Sequence, residues 1–500
     1  MRKTVIFFLL RRRKIAVPFW ESIVVEEKVE SPEKNELDLL RERLTVSARL
    51  VWDHVDEAER QAIMDYAERY KKFLDAAKTE REAVREIESQ ARARGFVPLT
   101  GSGPQAPWFY NYKGKVIALG VPGRQPATEG LHIIGSHIDS PRLDLKQYPL
   151  YEETDLVFLK THYYGGIKKY QWLARPLALH GVVLKADGTR VEFRVGEDPG
   201  DPVFTVLDLL PHLARKAQMD KKVSEAFEGE KLNVLVGSLP IGDKDTKERF
   251  KLSMLKFLED SYGLTEEDLV SAELEVVPAG PARDLGWDRA LVAGYGHDDR
   301  SCAYPALEAI LEVKDPDRGC IALFYDKEEV GSDGNTSAKS CVIEDIVELL
   351  LEREGGSPLS GRRVLMNSRA LSGDVTGAID PDYPEVHEKR NAARMGYGIS
   401  LTKFTGHGGK YAANDAHAEY VAWLRKIFND AGVIWQAAHL GKVDEGGGGT
   451  IAKYLAVHGM EIIDTGPPVL SMHSPFEVAS KADLYMVYKA YKTFFTAPAG

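Results

Sequence analysis

Five stretches of this chain set histidines or carboxylates beside apolar runs. "LHIIGSHIDSP" carries His137 and Asp139, "GYGHDDRSC" carries Asp298 and Asp299, and "FYDKEEVGS" carries Glu328 and Glu329. "MNSRALSGD" ends on Asp374, and "PPVLSMHSP" holds His473. Each has an ordinary reading. His137 could be a hydrogen-bonded loop histidine, Asp298 or Asp299 a helix cap, Asp374 a turn residue and His473 a core histidine. The Glu328–Glu329 pair could be a solvated strand end. Together they mean more. The His-x-Asp spacing suits an imidazole ligand whose tautomer a nearby carboxylate fixes. Two histidines and three carboxylates suit a pair of zinc ions about 3.5–4 Å apart. One further carboxylate is then free to act as a base.

Such residues need a scaffold that delivers them to one place. Apolar runs over Val116–Leu119, Leu131–Ile134, Ile321–Tyr325, Arg363–Met366, Val433–Gln436 and Met460–Ile463 read as strands. Helical patterns over Tyr304–Val313, Glu344–Arg353, Ala416–Ala431 and Thr450–Val457 lie between several of them. This alternation predicts an α/β fold, a mixed sheet flanked by helices on both faces. In open α/β sheets ligands bind beyond the carboxyl ends of strands, where the candidates fall. Upstream, apolar positions from Ile63 to Ala77 step by three and four, one face of a helix. Thr79 and Glu82 form a capping-box pattern, and Gly95 supplies a stop. From about Leu145 to Asp284 the pattern changes to short alternating strands, such as Gly181–Lys185 and Val191–Val195, with a turn at Asp187-Gly188. This stretch reads as an inserted, β-rich domain. "DEGGGGT", Asp444–Thr450, is either a flexible turn or a place for a substrate carboxylate or backbone. It lacks the Gly-Lys-Ser/Thr of a nucleotide loop.

The chain has 500 residues, 44% of them hydrophobic and 28% charged, with a formal net charge of -11. That balance is ordinary for a soluble protein and argues against nucleic acid as the main partner. Cys302, Cys320 and Cys341 are the three cysteines, with no CxxC spacing, so a reducing, cytoplasmic setting is expected. No apolar run approaches the ~18 residues of a membrane span, so no membrane partner is expected. Residues 1–35 read as an extension, expected to be disordered, with a solvated "EEKVESPEKNE" at its end.

The segments "AAKTEREAV", "SHIDSP", "YYGG", "LLPHLARKA", "HDDRSC", "YDKEEVGS", "SGDVTGAIDPDY", "KYAAND", "GGGGTIAKYLA" and "VLSMHSPFEV" resemble, in order, the aspartyl aminopeptidase and vacuolar aminopeptidase I family. The resemblance runs from about Phe73 to the C-terminus and suggests a bacterial-type member of these dinuclear zinc aminopeptidases. It implies a zinc exopeptidase fold with catalytic parts over 36–144 and 285–500 and a dimerisation insert over 145–284. It implies His137 and Asp374 on one zinc, Glu329 and His473 on the other, and Asp298 bridging; a one-residue slip would choose Asp299. Cobalt or manganese would be possible substitutes. Asp139 would orient His137, Glu328 would be the general base towards a hydroxide bridging the ions, and His212 would reach a neighbour's site. The implied assembly is a homododecamer built from dimers, and the implied substrates are peptides, cleaved at the N-terminal residue. "GHDD" departs from the Arg-Leu-Asp-Asn of the eukaryotic aspartyl enzymes, and "SGDVTGAID" lacks histidines found there, so a strict acidic preference does not follow. There are two rivals: a carboxypeptidase or small-amide deacylase that uses the same metal set, and a non-catalytic shell-forming protein, against which the full ligand set and the spare Glu328 argue.

Overall fold

The computed structural model describes residues 35–101, 103 and 105–499. The extension expected over 1–35 therefore lies, except for Asn35, outside the described residues. Contacts divide the chain into two units. One holds the residues up to Ser47 with Gly286–Asp288. Its described element is the helix Glu36–Leu44, capped by the Asn35 side chain, which accepts from the Asp38 N–H. The other, Ala48–Leu285 with Arg289–Gly500, carries everything that follows.

Its principal sheet has nine strands. Four neighbours run parallel at its centre: Cys320–Tyr325, His132–His137, Arg369–Gly373 and Glu461–Gly466. Val116–Val121 pairs antiparallel on one side and Ile399–Thr402 on the other. Alternate residues of the central strands enter opposite cores, as the two-residue period of a strand requires. Ile134, Phe324, Leu371 and Ile463 join one core with the helices Glu57–Ala76, His297–Glu312 and Lys481–Phe495. Ile133, Leu323, Ala370 and Ile462 join the other with the helix Val342–Arg353. Burial on both faces explains why these strands read as unbroken apolar runs.

The predicted helix at Ile63–Ala77 is observed over Glu57–Ala76, with Asp56 accepting the Glu59 N–H at 2.8 Å. The Thr79–Glu82 capping box is present at the start of the next helix, Glu80–Ala93. One expectation is overturned: Arg363–Met366 is not a strand but part of the helix Gly361–Asn367. Val364 and Leu365 are buried while Arg362, Arg363 and Met366 face outward, a pattern one helical turn satisfies. The strand is the next segment, Arg369–Gly373, whose small residues fit a crowded position: a Cβ on Gly373 would lie 2.8 Å from the Tyr491 hydroxyl. The helix expected over Thr450–Val457 is confined to Ala452–Leu455, followed by a 3-10 turn to His458.

A second, antiparallel sheet of seven strands draws on Arg142–Glu153, Leu156–Tyr164, Leu177–Leu184, Arg190–Val195, Thr205–Val206, Val234–Gly237 and Glu273–Pro278. The helix Arg249–Tyr262 packs on it through Phe250, Met254 and Leu258. Among the described residues, no helix is long and apolar enough to cross a membrane.

Candidate metal centre

The parallel strands end at one edge of the principal sheet. His137 is the last residue of its strand and pairs in register with Tyr325. Asp374 follows Gly373, and Glu328 and Glu329 form a short turn three residues beyond Tyr325. Asp298 and Asp299 open the helix His297–Glu312. His473 sits in the turn between the strands Pro468–Leu470 and Glu477–Ser480.

These side chains converge. His137 Nε2 lies 3.1 Å from Asp298 Oδ1, and His473 Nε2 lies 3.2 Å from Asp298 Oδ2 and 3.4 Å from Glu329 Oε2. Donor atoms of His137, Glu328 and Asp374 fall within 4.8 Å of one another, as do those of His137, Asp298 and Glu329. Asp298, not Asp299, is the carboxylate placed between the two imidazoles. Asp299 accepts the His137 backbone N–H at 3.4 Å, and its carboxylate also groups with those of Asp298 and Asp374.

Both imidazoles are oriented from behind. The His473 Nδ1–H donates to the Gly166 carbonyl at 2.8 Å. The His137 Nδ1–H faces only acceptors, the Asp139 carbonyl at 3.1 Å and its Oδ1 at 3.3 Å. A carbonyl cannot donate, so in both rings Nδ1 carries a proton and Nε2 faces the cluster, where its lone pair would serve a metal that displaces the Nε2 proton. The Asp139 carboxylate does more than hold His137. Its Oδ1 accepts the Glu328 N–H and its Oδ2 the Glu329 N–H, each at 3.1 Å, and Oδ2 also accepts the Tyr164 hydroxyl at 2.7 Å.

Electrostatics fit a cation. Burial, followed by neighbouring carboxylates, pushes Glu329 and Asp374 well above the usual carboxylate range. Burial, with the Asp139 and Asp298 charges against the pull of His137, raises Glu328 to about 7. Burial also opposes ionised Asp298, yet the imidazoles on both sides hold it below the ordinary range. It likewise opposes protonated His473, but Asp298 and Glu329 outweigh it and hold the ring at about 10. Carboxylates so crowded would relieve one another around a divalent ion. Glu329 Oε1 is buried with no hydrogen-bond partner among the described residues. The imidazole–carboxylate separations of 3.1–3.4 Å match the edge of a zinc tetrahedron, about 3.4 Å for bonds of about 2.1 Å. The donor set therefore fits zinc.

Six of the residues singled out in the sequence are thus brought together: His137, Asp298, Glu328, Glu329, Asp374 and His473. Asp139 stands directly behind them. His212 does not join them within one chain; it is exposed on the short helix Pro211–Ala214. Sequence reasoning missed Glu477, which is buried and accepts the backbone N–H groups of Asp298 at 3.1 Å and His473 at 2.7 Å. Burial first, and Asp298 next, raise its pKa to about 8. A glutamate four residues after His473 was the sole hint. Beside the cluster a cavity of about 430 Å³ opens, lined also by Thr402, Gly448, Lys453 and Met472.

A histidine–carboxylate centre at the carboxyl edge of a mixed, helix-flanked sheet is the arrangement of a zinc-exopeptidase type of α/β fold. Comparison with known proteins narrows the class. The model of the aminopeptidase I zinc metalloprotease family (M18) matches residues 73–495. A probable M18 family aminopeptidase 1 of Clostridium acetobutylicum is 48% identical over 467 residues, covering 91% of this chain and 99% of that protein. The crystal structure of an M18 family aminopeptidase from Thermotoga maritima has a TM-score of 0.87 at 47% identity, covering 90% of this chain and 99% of that one. Yeast aminopeptidase 1, also solved as a dodecamer, shares the fold with a TM-score of 0.70 at 21% identity, covering 87% of this chain and 97% of its own. The chain belongs to the M18 aminopeptidase I family of zinc metalloproteases: it is a zinc aminopeptidase, an enzyme that hydrolyses peptides at the N-terminal residue.

Proposed function

We propose that the enzyme works with two zinc ions per chain, His137 and Asp374 serving one, Glu329 and His473 the other, and Asp298 both. The observation that carries this reading is Asp298 itself, with a different histidine Nε2 against each of its oxygens. Bound zinc would polarise the scissile carbonyl and acidify the attacking water. Glu328 groups with His137 and Asp374 within 4.8 Å, but among the described residues it forms no close imidazole contact like the 3.4 Å pair of Glu329 with His473, and its carboxylate is the one assigned to proton transfer. It accepts the proton of the attacking water and passes it to the leaving amine. Asp139 fixes the tautomer of His137 and the backbone of both glutamates. The carboxylates that line the cavity favour a substrate with a free, positively charged α-amine, which distinguishes an aminopeptidase from a deacylase.

The assembly reading is that of a homododecamer built from dimers; the yeast relative is solved as a dodecamer. It is supported by the segment around His212, where Leu209, Leu210, Leu213, Met219 and Val223 are all exposed. A second copy covering these side chains would carry His212 towards a neighbour's site, where it would help stabilise the oxyanion. Three free thiols agree with a reducing cytoplasm.

A panel of aminoacyl-anilides, each with a free and an acetylated α-amine, tests the reading with zinc, cobalt and manganese. Chelation should abolish activity, two equivalents of zinc should restore it, and acetylation should block cleavage. Full activity without metal, or equal cleavage of the acetylated series, would overturn it.

A further inference from the structure

The turn Tyr164–Gly165–Gly166 ends a strand of the second sheet and lies against the metal centre and the Asp139 behind it. The Tyr164 hydroxyl donates to Asp139 Oδ2 at 2.7 Å. Gly165 has a φ of 74°, and a Cβ there would lie 3.3 Å from the Pro141 ring and 3.4 Å from Glu329 Cβ, so the backbone passes close against the glutamate. The Gly166 carbonyl takes the His473 Nδ1–H. Tyr164 is itself fixed from behind. The Arg142 guanidinium lies 4.0 Å from its ring centroid and is held by Asp144 at 2.7 Å, Glu275 at 3.2 Å and Glu80 at 3.4 Å. Arg142 and Tyr164 are also register partners in adjacent strands.

From this geometry we infer that Tyr164 is a positioning residue for the Glu328–Glu329 turn, acting through Asp139. The Asp139 carboxylate has four partners: the Glu328 and Glu329 N–H groups, the His137 ring and the Tyr164 hydroxyl. The first three belong to the metal centre. Only the hydroxyl comes from the second sheet, so it is the strut that sets where the carboxylate sits relative to the rest of the fold. A carboxylate free to swing would release both backbone N–H groups together and let the side chains of Glu328 and Glu329 drift. The β-rich segment therefore supports the site within its own chain.

Tyr164→Phe removes the hydroxyl and keeps the ring against Arg142. The expectation that turnover follows rests on Glu328 as the base; the expectation for the backbone does not. Hydrogen exchange should therefore be read beside kinetics, on the zinc-loaded enzyme and on the metal-free chain. Exchange in the segment Asp326–Ser332 should quicken in both forms, while exchange in the strand Cys320–Tyr325 stays as in the parent. With zinc saturating, turnover should fall on the order of 10–100-fold with KM little changed. Unchanged exchange in Asp326–Ser332, or a rise shared by the whole chain, would overturn the inference. Faster local exchange with parental turnover would uphold Tyr164 as the strut and instead remove Glu328 from its assigned role.

Discussion

Glu328 and Glu329 are adjacent in sequence and differ in what their carboxylates face. Both line the cavity, but Glu329 has His473 Nε2 at 3.4 Å and a buried oxygen without a partner, whereas the Glu328 carboxylate groups with His137 and Asp374 within 4.8 Å. Glu328→Gln keeps the shape and leaves the imidazole–Asp298 core untouched, so it should remove proton transfer alone, on the order of 10²–10⁴ in turnover. Glu329→Gln weakens a ligand, so it should lose zinc and be partly rescued by excess metal. These residues were legible in the sequence because a zinc centre admits few side-chain types, and His137 and the Glu328–Glu329 pair sit just past strands whose apolar pattern is plain; the strand before Asp374 was instead expected at Arg363–Met366. The residues that hold them were not. Tyr164 lies 25 positions from Asp139 and Glu477 lies 179 from Asp298, and a tyrosine or glutamate in a strand carries no mark of its partner. The resemblance favours Asp298 over Asp299 only as long as the alignment does not slip by one residue; the geometry separates them, since Asp298 alone of the pair faces both imidazoles.

At the level of strands and helices, burial on both faces made the central sheet readable, and the Thr79–Glu82 capping box marked a helix start through its own hydrogen bonds. Gly361–Asn367 was misread because Val364-Leu365-Met366 has the apolar density of a strand and is too short to display a helical period. One central strand also predicts a pH response. His132 opens the strand that ends at His137 and is buried against Phe494, with ring centroids 4.9 Å apart. Burial, aided by Arg318 and Arg369, lowers its pKa from 6.5 to about 4. The unfolded chain then binds this proton first as pH falls. The stability due to neutral His132 is therefore complete above about pH 6.5 and is lost progressively towards pH 4, on the order of 3 kcal/mol. Urea unfolding of the parent and His132→Phe at pH 7 and pH 4.5 checks this. The parent should lose more stability than the variant over that interval; equal losses would contradict the assignment.

For the whole molecule, the change from helical alternation to short strands near Leu145 is visible in sequence, and the seven-stranded sheet occupies that stretch. What the sheet presents outward is less visible. Exposed Leu209, Leu210 and Leu213 look like core residues in a linear pattern, and only the fold reveals that nothing within the described chain buries them. If a neighbouring copy does, and His212 serves that neighbour's site, two inactive variants should complement. His212→Ala and Glu328→Gln chains, unfolded together and reassembled, should recover a fraction of parental activity that neither regains alone. Absence of recovery, together with a fully active monomer in the ultracentrifuge, would rule out a shared site.

Zinc content and turnover, measured side by side for the parent, Glu328→Gln and Glu329→Gln, bear on the assignment of base and ligand without intermediaries. The account predicts two zinc ions and almost no turnover for Glu328→Gln, and loss of one zinc with partial rescue for Glu329→Gln. If Glu328→Gln loses zinc while Glu329→Gln keeps both ions, the roles are reversed. If both variants retain parental turnover, the proposed two-zinc mechanism is wrong.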